Sequence, residues 1–562
     1  MRLFNNLYNF VLLNIRIYRL SNKHNCIHMC NYRFLIVPAL LGITIASRAQ
    51  DVNEAYNLSN TTVQGTARSM GFGNALGSVG GDFSSLSVNP AGIGIYSSSE
   101  FTITPSLKMS NASSEYAGIT TSDNSSAFNF NNLGFVFTSA PKGRRYDHRA
   151  WKSVAFGIGF NRTADFNNSY TYTGQTNTSS GSQVFESDAN KNPSAALGSG
   201  AGSSLGNMGY NAYLLNQNAS GQFVSVVPFS GGIEQMKSRQ TYGGISEVAL
   251  SLGGNYKEKL LLGITLGLPV VNYQSNTSYQ ESLAEGNAAG NPSGFSNFGY
   301  SQNTNISGGG INAKLGAIYK VTNFLRIGAA FHTPTYYSLN DVSNRSLAAS
   351  TDSGNIFTGN NQNQFNYGLS TPWKGVLSAT FIIRKFGFIT ADYEYVDYSS
   401  MRYMFPGGMD FTNNVPFQAE ADQINQTIKK TYQGASNLRL GAEFRLSSAF
   451  MVRGGVGYYG NAYTAYGENT QNGYYTTQRV DLSLGAGFHW RHFFTDIALV
   501  HGMYTGYEQP YTVDYTQVVS GPAATIPTSK VTYTTDNVAL TMGVKFDNGR
   551  QHRHHHRYQQ YN

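Results

Sequence analysis

Residues able to do chemistry are few in this chain and poorly grouped. His501 follows Asp496 by five positions and His332 closes an apolar segment, so either could act as a general base for hydrolysis if a serine stood within reach. Neither sits beside a nucleophile motif of the Gly-x-Ser-x-Gly kind. His552, His554, His555 and His556 crowd the chain end, where clustered histidines can bind metal, but a terminal run without fixed geometry is the commoner, incidental case. The glycines of Gly71-Phe72-Gly73-Asn74-Ala75-Leu76-Gly77 carry one residue too many for a dinucleotide fingerprint and follow no strand of a βαβ unit. The expectation is no enzyme, no cofactor and no metal.

A binding face is easier to find than a catalytic one. Leu205, Met208, Ala212 and Leu215 recur at helical spacing, with Tyr210 and Tyr213 beside them. Such a face could capture an apolar ligand, or it could simply pack a loop.

The elements that must position these residues follow from composition. Of 562 residues only 12% are charged and 13% are aromatic, with 61 glycines and 38 tyrosines. Soluble domains carry about 25% charged residues. Here polarity comes from Asn, Ser, Thr, Gln and Gly, which suits strands with one polar and one apolar face and argues against helical bundles. Both cysteines, Cys26 and Cys30, precede the expected mature start, so neither a disulfide framework nor a Cys-ligated metal is expected, and no small-residue box makes either a lipid-anchor site. Residues 1–49 hold six Arg/Lys and no acid; removing them from 39 bases leaves 33 against 31 acids, a net of +2 in place of +8. Nucleic acid is excluded as a partner on that balance.

Arg33, the apolar run Phe34 to Ile45, and Ser47-Arg48-Ala49 before Gln50 read as a secretory signal peptide. The run is short of the about 20 residues a spanning helix needs. Met29 suits a start better than Met1, making 1–28 an over-extended reading frame and 1–49 the leader; the alternative is an N-terminal anchor.

After the leader the dominant period is two. Ile264, Leu266, Leu268 and Val270 alternate with Thr265, Gly267 and Pro269; Leu438, Leu440, Ala442 and Phe444 alternate with Arg439, Gly441, Glu443 and Arg445. Fourteen such segments fall near 101–109, 128–137, 151–161, 246–256, 260–270, 311–319, 324–332, 375–383, 386–396, 436–446, 449–459, 479–488, 493–501 and 536–546. Most have the length of a tilted membrane strand, and an even count closes an antiparallel barrel. The first, with Pro105, and the eighth are the weakest. Short links (Lys257-Glu258-Lys259, Arg384-Lys385, Ser447-Ser448, His489 to His492) alternate with long ones near 162–245, 271–310, 333–374, 397–435, 460–478 and 502–535. Short periplasmic turns and long outer loops give that alternation. The fold class is therefore all-β, an outer-membrane barrel spanning 98–546, with a His-rich periplasmic tail at 547–562. Val538, Leu540, Met542, Val544 and Phe546 end it in the manner of a strand read by barrel-assembly machinery. Tyr393 and Tyr395 should face lipid, and Asp392, Glu394, Lys314, Arg326, Arg439, Glu443, Arg445, Asp481 and Lys545 the lumen.

Residues 50–97 lack strand periodicity and are rich in Gly and Ser, as a compact segment folded inside a lumen would be. Ala67-Arg68-Ser69-Met70-Gly71, Gly80-Gly81-Asp82, Asn89-Pro90-Ala91-Gly92 and Ser99-Glu100-Phe101 resemble the N-terminal hatch of the FadL/OmpP1/TodX family of outer-membrane hydrophobic-compound transporters, particularly its Bacteroidetes members. The resemblance implies a fourteen-stranded barrel plugged by its own N-terminus, with Arg68, Gly71, Asp82, Asn89, Pro90 and Ala91 in the plug. It implies capture of a hydrophobic small molecule, a fatty acid or an aromatic, by outer loops, binding in a lumen pocket, rearrangement of the plug and lateral exit into outer-membrane lipid. The long 162–245 link departs from the family, so the capture residues Leu205, Met208, Tyr210, Tyr213 and Leu215 rest on their own pattern. A monomer is expected. The alternatives are a non-transporting partner of a protein-secretion system and, third, an outer-membrane hydrolase.

Overall fold

The computed structural model describes residues 52–141, 144–198, 204–285, 291, 294–352, 354–407, 409–410, 415–468, 476–521 and 526–546. The leader and the His-rich tail lie outside the described residues.

Among these residues fourteen antiparallel staves close on themselves. They are β1 Ser99–Tyr116, β2 Ile119–Ser139, β3 Trp151–Asp165 prolonged by Asn168–Thr176, β4 Ile233–Tyr256, β5 Leu260–Leu283, β6 Asn297–Lys320, β7 Leu325–His332 prolonged by Tyr336–Thr351, and β8 Gly354–Ser370 prolonged by Lys374–Ile383. They continue with β9 Gly387–Asp397, β10 Gly434–Arg445, β11 Phe450–Tyr459, β12 Arg479–Trp490, β13 Phe493–Glu508 and β14 Ser529–Phe546. β14 pairs with β1 from Phe546↔Ser99 to Lys530↔Glu115, which joins the last stave to the first and closes the cylinder. Phe546 sits at the foot of that seam, facing outward.

Alternation sorts the side chains as the sequence suggests. Ile264, Leu266, Leu268, Val270, Leu438, Leu440, Leu482, Leu484, Ile497 and Leu540 are exposed on the outer wall, while Thr265, Arg439, Ser483 and Thr541 are buried inside. Tyr393 and Tyr395 face out, and Asp392 and Glu394 face in. An exposed apolar belt around a buried polar interior fits a barrel in a membrane of the outer-membrane type.

The staves run far past the belt. β4, β5 and β6 are each 24 residues long, roughly 80 Å of strand at about 3.4 Å per residue, against an apolar band of about 25 Å. The links expected as long loops are thus largely strand. What remains between staves is 177–232, 284–296, 398–433, 460–478 and 509–528, and β1 and β2 join directly through Ala117 and Gly118, both left-handed (φ 47° and 80°) as a two-residue hairpin requires. Above the membrane the outer strand face meets water in place of lipid, so Ser301-Gln302-Asn303-Thr304-Asn305 shows no apolar alternation. The two weak segments have local reasons. β1 shifts register between Thr104 and Pro105, where proline can donate no ladder hydrogen bond, and β8 is interrupted at Thr371-Pro372-Trp373.

Candidate functional site

The bore is filled by the chain's own N-terminal segment. Helix α1 (Val52–Ser59) lies toward the long-loop end. Below it come α2 (Ala67–Gly71), α3 (Ser85–Val88) and a 3-10 turn, Pro90–Ile95, that leads into β1. The lower part meets staves all round: Ala67 N donates to Thr541 Oγ1 at 2.7 Å, Gly77 N to Asp392 Oδ2 at 2.8 Å, and Ser78 Oγ lies 2.7 Å from both Ser378 Oγ and Thr380 Oγ1.

Small residues let the backbones approach. A Cβ added at Gly441 would stand 2.1 Å from Phe72 O, at Gly328 2.2 Å from Gly77 O, and at Gly316 1.9 Å from Asn89 Oδ1. The glycines that alternate with apolar residues along the staves are therefore sockets for the segment. Gly71 is itself one half of such a contact, its Cβ position 3.1 Å from Gly485 Cα.

Charge fixes the same region. Arg68 Nε donates to Glu443 Oε2 at 3.0 Å and its Nη1 to Gly81 O at 2.9 Å. Glu443 also accepts from Arg453 Nε at 2.8 Å, and Arg453 reaches Asp496 at 2.7 Å. Asp82 accepts from Thr66 Oγ1 and from Ser84 N at 2.9 Å. Asn89 caps the 3-10 turn by accepting from Ala91 N at 3.1 Å, with Pro90 at its first position, where no N–H is needed; its amide donates to Gly77 O at 2.6 Å. Arg68, Gly71, Asp82, Asn89, Pro90 and Ala91 are thus gathered inside the barrel.

The outer half of the bore is aromatic. Tyr56 of α1 stacks on Tyr432 (centroids 5.4 Å, planes 8° apart) and packs against Tyr398 and Tyr463. Asn53 accepts from the Tyr432 and Tyr463 hydroxyls at 3.0 and 3.1 Å, and Glu54 from the Tyr367 hydroxyl. Helix α4 (Phe417–Thr431) covers this cluster with Ala421, Ile424 and Ile428, one face at helical spacing. A second tyrosine group, Tyr116, Tyr170, Tyr172 and Tyr533, lines the lumen beside β13 and β14. Sequence inspection missed α1, although Val52, Ala55 and Leu58 recur at helical spacing.

The wall is discontinuous between β2 and β3. Their ladder covers only Asn132–Ser139 against Val154–Asn161. Above it β3 leaves β2, and residues of the N-terminal segment take its free edge: Thr62 N donates to Thr163 O and Gln64 N to Arg162 O, both at 2.8 Å. Asp165 ties the gap above this point, accepting from Lys108 Nζ at 2.9 Å, Asn129 Nδ2 at 2.8 Å and Arg162 Nη2 at 2.9 Å.

The proposed capture face lies in the 177–232 loop. Helices Ser182–Lys191 and Leu205–Asn211 pack there, with Met208 and Leu215 buried among Phe185, Phe223 and Phe298, Leu205 and Tyr210 half-buried, and Tyr213 exposed at φ 57°. The helix ends at Asn211, so Leu215 joins the face from a short strand, Leu215–Gln217. Two buried carboxylates tie this loop down. Glu186 accepts from Val519 N and Ser520 N at 2.5 and 2.7 Å, and Glu281 from Gly181 N at 2.6 Å and Gln235 Nε2 at 2.8 Å. Burial holds the Glu281 carboxyl above the usual carboxylate range, against the pull of those donors.

The histidines singled out by type are dispersed. His332 Nε2 lies 2.8 Å from Val88 O inside the bore. His501 Nδ1 meets Asp536, not Asp496, at 2.8 Å. That pair shares outward parity with Leu499 and Leu540, so it faces the membrane side of the wall, while Asp496 is buried on Arg453. Among the described residues no group of three His, Cys, Asp or Glu is placed to hold a metal ion.

No protein-family profile and no curated protein matches the sequence. The fold is similar to those of solved barrels. The Ralstonia pickettii toluene transporter TbuX is 15% identical, with 88% of this chain and all of that one covered (TM-score 0.46). A Pseudomonas aeruginosa FadL homologue is 13% identical over 86% and 99% (TM-score 0.49). The P. putida toluene transporter TodX is 12% identical over 86% and 99% (TM-score 0.48).

Proposed function

We propose that this barrel passes a hydrophobic small molecule across the outer membrane and releases it sideways between β2 and β3. The observation that carries the reading is residues 62–64 pairing with β3 where β2 has left it. The piece that completes the wall is joined directly to α1, which occupies the aromatic outer lumen.

The physics of the cargo fits such an arrangement. A hydrophobe gains about 0.8 kcal/mol for each buried CH₂, which a water-filled pore cannot supply and an aromatic lumen can. A ligand entering among Tyr398, Tyr432 and Tyr463 competes with Tyr56. Moving α1 draws residues 62–64 from the β3 edge and frees the gap into lipid. The lower segment, with Arg68, Gly71, Asp82, Asn89, Pro90 and Ala91, stays seated and keeps the bore closed to ions. In this reading Leu205, Met208, Tyr210, Tyr213 and Leu215 make first contact with the ligand, Tyr213 at the surface. Phe546 ends the strand that assembly machinery reads, and the barrel works as a monomer without catalysis.

Native mass spectrometry of the detergent-extracted protein, with uptake of labelled oleate and toluene by cells producing it, tests this. A bound hydrophobe together with raised uptake of either probe is expected. No bound small molecule, no uptake and a stable complex with other proteins would overturn it.

A further inference from the structure

The short-turn mouth of the barrel, below the plug, holds a cavity of about 120 Å³. Its lining carries five Arg/Lys (Arg68, Arg326, Arg384, Arg445, Lys545) against four Asp/Glu (Asp82, Glu100, Glu443, Asp496). The acids are already engaged. Glu443 and Asp496 are held by Arg68 and the buried Arg453, Asp82 by Thr66 and Ser84, and Glu100 by Tyr96 at 3.0 Å with Lys545 at 3.9 Å. Arg326, Arg384 and Arg445 are left over: among the described residues none of them forms an ion pair.

Their setting makes the excess costly. Arg326 stands directly opposite Lys320 in the β6–β7 ladder, two cations on one inward face, a pairing that destabilises a sheet. Arg326 Nη1 donates to Val79 O at 3.0 Å, which aims the guanidinium at the plug, yet its buried Nε has no acceptor. A buried donor without a protein partner calls for an acceptor from outside the chain, water or an anion. Arg445 reaches the same mouth from β10, where its backbone N donates to Phe386 O in the turn that carries Arg384. Planar guanidiniums from three positions match a compact oxyanion with several acceptors.

We infer that Arg326, Arg384 and Arg445 form an anion site at the short-turn mouth that binds a phosphate group. A free phosphate and a phospholipid headgroup share that chemistry. The test is calorimetric titration of the detergent-purified full-length barrel with inorganic phosphate and, separately, with dihexanoyl-phosphatidylglycerol below its micellar concentration. Wild-type protein is expected to bind at least one probe, with affinity at least tenfold lower in Arg326→Gln/Arg445→Gln and unchanged in Arg402→Gln, an outer-loop cation. Binding of inorganic phosphate assigns the site to soluble anions; binding of the lipid probe alone assigns it to headgroups. Arg384→Gln, at an exposed turn, supplies the same comparison if the double variant fails to assemble. No binding of either probe to wild type, or equal affinity in wild type and the mouth variants, overturns the inference.

Discussion

The two halves of the bore hold one continuous N-terminal segment by different chemistry. Below, Arg68, Glu443, Arg453 and Asp496 form an interlocked ionic set, and inward glycines bring backbone against backbone at Phe72 and Gly77 and make room for the Asn89 side chain. Above, α1 is held by stacked tyrosines and by hydrogen bonds from tyrosine hydroxyls to Asn53 and Glu54. Buried ion pairs are strongly destabilised when one partner goes, by about 3–5 kcal/mol, whereas an aromatic pair contributes about 0.5–1.5 kcal/mol beyond its burial. The lower half suits a permanent seal, and the upper half suits an element that an apolar ligand can replace.

The contrast breaks most visibly at the glycine sockets. Gly441→Leu puts a side chain into the space of Phe72 O, so the plug loses its seat and a barrel this wide opens to water. Planar-bilayer conductance should rise clearly above wild type, because a wide barrel without its plug is an aqueous channel. Unchanged conductance would mean the sockets do not seat the plug.

Next in size is Glu443→Gln, which leaves Arg68 and Arg453 without their shared carboxylate. A loss of about 3 kcal/mol or more in urea-unfolding stability is expected. A change under 1 kcal/mol would remove the ionic half of the contrast.

Tyr56→Ala removes three ring contacts from α1. A weakening of about 2 kcal/mol should speed amide exchange of residues 52–59 at least tenfold and leave exchange of 85–95 unchanged. Equal acceleration of both stretches would show that the segment moves as one body.

The smallest effect concerns the outer loop. Glu281, above the apolar belt, has its pKa raised on folding, so the folded state binds the proton more tightly. Its contribution is largest in acid and declines as pH climbs from the ordinary carboxylate value through the raised one. Urea stability of wild type should fall across that window and Glu281→Gln should flatten the fall. Identical pH profiles would assign the dependence elsewhere.

Much of this barrel can be read from its residues because the membrane enforces the pattern. Lipid outside and packed polar groups inside make Leu438, Leu440 and Phe444 alternate with Arg439, Gly441 and Glu443, and short turns at one end separate the staves. Above the lipid no such contrast exists, so the upper parts of β4 to β8 pass for loops. The plug shows its composition and its Asn89-Pro90 cap, but not its sockets. A glycine such as Gly316 looks like a small lumen residue until Asn89 is found against it. Neither the Thr62–Gln64 contact with β3 nor the Asp165 clasp has a local signature, since each joins residues about 100 or about 60 positions apart that only the tertiary fold brings together.

The claim on which the rest depends is that the lower plug stays seated while α1 and residues 62–64 move. Ser78 and Ser378 place their Oγ atoms 2.7 Å apart, one on the plug and one on β8, so Ser78→Cys/Ser378→Cys forms a disulfide that locks the lower plug to the wall. Uptake of labelled oleate or toluene should be the same in the oxidised and reduced states, with conductance low in both. Uptake abolished by oxidation and restored by dithiothreitol would contradict the account, because the cargo would then need the whole plug to leave.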